Sequence, residues 1–153
     1  MKMIKKMTTV LAVTGLLFIS CNTTNGEKTA MKVKLPDGQF ATYNLDSKGS
    51  LSFNDWDGFN SANKALVDLE IETTPERIDN LNNTVSNLAA TIPAWLKNEE
   101  VMEDIADVEE EYKKLLEEKN EPAKNVKQNL EELNEKFDDL REELNETIEK
   151  YKS

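Results

Sequence analysis

The chain has 153 residues, 38% hydrophobic and 32% charged, with a formal net charge of −11. That length suits one domain with a modest core, and that acidity argues against a nucleic-acid partner, because the surface repels phosphate. One cysteine excludes an internal disulfide, and the absence of histidine excludes Ser-His and Cys-His nucleophiles, haem, most zinc sites and a Glu-x-x-His di-iron bundle.

The first residues read as an export leader. Lys2, Lys5 and Lys6 make a positive start, and residues 7–19 carry no charge. Polar Asn22-Thr23-Thr24-Asn25-Gly26 follows Cys21 at once, which is the grammar of a signal peptide. Ile19-Ser20-Cys21 resembles the lipobox of bacterial lipoproteins, with Phe18 where that pattern has an aliphatic residue. The resemblance implies that Cys21 is alkylated by a lipid, that residues 1–20 are removed, and that the mature chain hangs from a bilayer by its acyl chains. It also implies a place in the bacterial cell envelope. Asn22 stands where an Asp would signal inner-membrane retention in some bacteria, which leans toward the outer membrane. A plain cleaved signal with an incidental cysteine is one alternative. An uncleaved membrane helix is another, although residues 7–19 fall short of the roughly 20 needed to span.

Residues 21–30 read as a polar tether. The rest, 31–153, reads as one domain, with a β-hairpin region over 31–51 and helices over 52–153. Met31, Val33 and Leu35 alternate with Lys32 and Lys34, a strand period. Pro36-Asp37-Gly38 is a turn, Phe40 to Leu45 a second strand, and Asp46-Ser47-Lys48-Gly49 another turn.

The pattern then changes to helical spacing. Ser52 and Asp55 suggest a capping box, with Leu51 stapled onto Trp56. Phe59, Ala62, Leu66 and Leu69 form the first stripe, and a strand over Val67, Leu69 and Ile71 competes with it. Thr74-Pro75-Glu76 opens a second helix, with Ile78, Leu81, Val85, Leu88 and Ile92 inward and Pro93 at its end. A third helix starts near Ala94 or Glu99 and carries Val101, Ile105, Val108, Tyr112 and Leu115 to about Lys119. A fourth runs from about Pro122 to Tyr151 with Val126, Leu130, Leu133, Phe137, Leu140 and Leu144.

Alternating steps of three and four give a narrow apolar seam. The expected fold is therefore mostly α: an antiparallel up-down bundle of three to four heptad-patterned helices with a small N-terminal β-hairpin. Trp56 and Trp95 should meet at one end of it as core lids. If the third helix starts early, the last two helices overshoot the others by roughly 10 Å. Tyr112, Leu115, Leu116, Val126 and Leu130 would then form a protruding tip, suited to a partner or a second copy. A start at Glu99 behind an Asn98 cap would align the ends instead.

No Gly-rich phosphate loop is present, and Asp55-Trp56-Asp57-Gly58 lacks calcium-loop spacing. No enzyme activity and no cofactor are expected. Residues 99–153 hold 20 acids and 9 bases, a net −11. The main expectation is a non-enzymatic envelope lipoprotein acting as an interaction or scaffold protein on an envelope partner. The alternative is an acidic module that binds divalent cations or basic peptides. A chain this acidic should also avoid lying on an anionic leaflet, which leaves membrane contact to the lipid alone.

Overall fold

The computed structural model describes residues 27–153; Cys21 and the leader lie outside them. The chain is mostly helical, with a small three-stranded antiparallel sheet in the order β1-β2-β3. The strands are β1 (Thr29–Lys34), β2 (Phe40–Leu45) and β3 (Leu51–Phe53). In β1 and β2 the register sets Lys34 opposite Phe40, Lys32 opposite Thr42 and Met31 opposite Tyr43. The two turns close through Gly38 and Gly49, at φ of +85° and +81°, where a residue with a Cβ would be strained.

The third strand departs from the sequence reading. Leu51, Ser52 and Phe53 pair with β2 and do not lead into a helix cap. Helix α1 (Asp57–Ile71) instead starts behind Trp56, which makes no side-chain cap bond. The strand wins because Leu51 and Phe53 both point inward and are buried, and because Asn60 seals the outer edge. Its side-chain oxygen accepts from the Phe53 amide at 2.9 Å, and its side-chain nitrogen donates to the Phe53 carbonyl at 2.6 Å. One carboxamide thus stands in for a fourth strand. Val67 to Ile71 stay helical, so the competing strand does not form.

The second helix is broken. It runs as α2 (Pro75–Asn80), α3 (Asn82–Val85) and α4 (Leu88–Thr91). Thr74 caps α2, its hydroxyl accepting from the Arg77 amide. Beyond it, polar side chains bond back onto the backbone. Thr84 donates to the Leu81 carbonyl, Asn87 to that of Asn83 and Thr91 to that of Asn87. Such bonds compete with a regular helix. The buried stripe survives the breaks: Ile78, Leu81, Val85 and Leu88 are each 1% exposed or less.

Helix α5 (Glu99–Glu117) starts behind Asn98, whose side chain accepts from the Val101 amide at 2.9 Å. Helix α6 spans Ala123–Lys150. The two run antiparallel, because Asp107 pairs with Lys136 and Glu100 with Lys150. Tryptophans 56 and 95 meet around Phe53, with ring centroids at 5.8 and 6.0 Å. Trp56 is buried, while Trp95 is half-buried and donates to Asp55.

If Asn60 holds the β3 edge, Asn60→Ala should cost about 1–3 kcal/mol, since it orphans two backbone groups. Urea denaturation checks this; a loss below about 0.5 kcal/mol, the ordinary range of a surface change, would mean that the edge needs no seal.

Candidate functional site

Tyr112, Leu115, Val126 and Leu130 are core residues, with exposures of 3%, 0%, 7% and 6%. Leu116 is partly buried and packs against the same core. These residues are therefore covered and do not form the protruding tip expected from an early helix start, since α5 starts at Glu99. Helix α2 covers the α5–α6 end. Lys119 is ion-paired with Asp79 of α2, and the Tyr112 hydroxyl donates to the Ile78 carbonyl at 2.8 Å. Burial first, and the nearby Asp79 second, push the Tyr112 phenol up to about 12. What remains open at this end is a hollow of about 420 Å³ lined by Thr74, Pro75, Ile78, Lys119, Val126 and Lys127, among others.

The α5–α6 seam carries the acids in groups, each threaded by one lysine. Lys150 lies 3.2 Å from Glu100 and 3.7 Å from Glu143. Lys136 lies 3.3 Å from Asp107 and 3.5 Å from Asp139. Lys114 pairs with Glu132 and lies 3.7 Å from Glu111. Their mutual hydrogen bond lowers the Glu132 pKa and raises that of Lys114. The lysines do not neutralise everything. Burial, followed by Asp139 and Asp107, raises the Asp104 pKa. Burial, followed by Glu100, raises that of Glu143. Among the described residues, no three His, Cys, Asp or Glu side chains converge to hold a metal ion. The seam is a strip of negative potential, with its oxygens spread along two helices.

The opposite electrostatic character sits on the sheet. Residues 27–54 hold four lysines and three acids, whereas residues 55–153 hold 27 acids and 12 bases. The strand period sends Ala30, Lys32, Lys34, Phe40, Thr42, Asn44 and Ser52 to the outer face, and not one of them is acidic. Phe40 is 66% exposed on that face. Sequence reading placed the lysines in a strand period but did not gather them with Phe40, because the cross-strand register is needed to set Lys34 beside it. The other exposed large hydrophobics among the described residues are Val67 and Ile71, one turn apart on α1.

No family model, no curated protein and no solved structure matches this chain.

Two measurements test these placements. Tyr112→Phe should cost about 1 kcal/mol at pH 7, because the buried Ile78 carbonyl loses its donor. The fold keeps the Tyr112 phenol neutral while the unfolded chain ionises it near 10. Wild-type stability should therefore fall as pH rises from about 10 toward 12, and the gap to Tyr112→Phe should narrow. A residue serving only as a contact surface would show neither effect in urea titrations at pH 7 and 10.5.

Asp104→Asn should stabilise the fold at pH 7 by about 0.5 kcal/mol, the scale of exposed charge effects. A raised carboxyl pKa means that the ionised form is penalised in the fold. The gain should therefore vanish as pH falls through the carboxylate range, and thermal melts at pH 7 and pH 4 report it. Equal gains at both would exclude charge as the cause.

Proposed function

We propose that the protein is a lipid-anchored component of the bacterial cell envelope that works by contact with another protein and not by catalysis. The observation that carries this is the leader: three lysines, the uncharged stretch 7–19, and Ile19-Ser20-Cys21 before a polar run. A thioether to diacylglycerol on Cys21 would hold the chain, and two or more acyl chains anchor stably where one is marginal. The body is a helical-bundle platform whose seam residues, spaced by threes and fours, are used for packing. The exposed strip of α5 and α6 is the surface offered to a partner. The chain has no histidine, so catalysis would rest on carboxylates, and the seam carboxylates are spread along two helices in groups paired with lysines.

The acid surplus of residues 99–153 favours a second reading, in which that strip binds basic peptide segments. Calorimetry with a polylysine peptide at low and high salt separates the two. Heat that disappears with salt supports the basic ligand; no heat at low salt removes it.

The anchor is tested in the native host with a fatty-acid probe. Label should appear on the wild-type chain and be lost from Cys21→Ser. Label on both forms, or on neither, ends the anchoring proposal.

A further inference from the structure

We propose that the outer face of the sheet, carrying Lys32, Lys34 and Phe40, docks on an anionic lipid surface and lays the domain against the bilayer from which it hangs. This rests on the anchored reading and deepens it. The acidity of the whole chain predicts that the domain stands off an anionic leaflet. The fold separates the charge, so that prediction does not hold for this face.

Three observations converge on lipid as the occupant. The first is charge complementarity. The outer face bears two exposed lysines and no acid, in a chain with 30 acids. Of the three flanking acids, Asp37 accepts from the Gln39 amide and Asp46 from the amides of Lys48 and Ser50, while Glu27 stands exposed two residues before β1.

The second is Phe40, 66% exposed and directly opposite Lys34. Lysines on an edge strand alone serve to discourage strand pairing. A large aromatic beside them does not, but an aromatic side chain flanked by lysines suits the headgroup boundary, where the ring is buried and the amines stay wet.

The third is covalent reach. Thr29, the first residue of β1, is eight residues after Cys21. Eight residues span at most roughly 30 Å, so an acylated Cys21 keeps the sheet within that distance of the leaflet. The helical turn at Glu121 is at the other end of α5 and α6, since the sheet-side ends of those helices hold Asn98 and Tyr151.

The experiment uses the full acylated chain. Its Cys21 sulfur is consumed by the lipid, so Thr42→Cys on the outer face, or Glu121→Cys at the far turn, gives one labelling site. Each is labelled with an environment-sensitive fluorophore and reconstituted into vesicles of phosphatidylcholine with or without phosphatidylglycerol, with a nitroxide quencher on the acyl chains. Quenching should be strong at 42 and weak at 121 when phosphatidylglycerol is present. Lys32→Gln with Lys34→Gln should weaken the docked population on the order of tenfold, and Phe40→Ser should weaken it further. Near-ultraviolet circular dichroism confirms that the variants stay folded.

Acylated chain quenched equally at 42 and 121 overturns the docking face and leaves the anchor in place. Quenching at 42 that ignores phosphatidylglycerol, or gives way to energy transfer between labelled copies, assigns the face to another occupant and overturns it as well. Intact mass of the same preparation reads the anchor separately. A chain without acyl mass removes the anchor; Cys21→Ser is then added to keep one labelling site, and quenching at 42 but not at 121 supports the docking face, while equal quenching overturns it.

Discussion

The fold depends on one column of rings. Phe53 of β3 lies edge-on to Phe59 of α1, with centroids at 5.3 Å, and Phe59 stacks on Phe137 of α6 at 5.4 Å. All three are 0% exposed. A short sheet cannot hold itself together in water, and α6 cannot bury its stripe alone. The column resolves both at once, because each ring belongs to a different element. Arg141 closes its outer end, with its guanidinium 4.6 Å from the Phe137 ring centre. It also pairs with Asp138 and donates to Asn63 of α1. A charged side chain here covers apolar surface while keeping its charge in water.

Polar side chains around this column set backbone geometry more than they add net stability. Asn60 finishes the sheet edge, Asn98 caps α5, and its amide nitrogen reaches Thr147 on α6 at 2.8 Å. Thr91 accepts from the Trp56 indole at 3.2 Å. Asn129, buried to 3% exposure, donates to Glu118 at 2.6 Å. Among the described residues these groups have a partner close by, whereas the buried Tyr43 hydroxyl and one Glu111 carboxylate oxygen have no hydrogen-bond partner. The surface ion pairs between α5 and α6 are a different matter: exposed pairs are worth little singly, and their main effect is on the sign of the field.

Much of this was legible from the spacing of apolar residues. The inward positions of α5 and α6 follow the steps of three and four, from Val101 to Leu115 and from Val126 to Leu144. The Asn98 cap and the Thr74-Pro75 start were visible as residue types. Four features were not. The strand over Leu51–Phe53 is three residues long, too short for a period, and the side chain that bonds its outer edge, Asn60, lies seven residues downstream of Phe53. The breaks between α2, α3 and α4 leave no mark on the apolar stripe, which reports which side faces in and not whether the backbone is continuous. The tip residues read as a surface because their cover, α2, reaches them from more than 30 residues away through Tyr112 and Ile78. The outer face of the sheet needed the register of two strands before its lysines and Phe40 became one feature.

The C-terminus comes back to where the fold begins. Tyr151 donates to the Trp95 carbonyl at 2.7 Å, and Lys152 sits 5.7 Å from the ring centre of Tyr43 in β2. The first of these contacts joins residues 56 apart in sequence, so it forms only once a long stretch of chain has been brought round, and contacts of such separation slow folding.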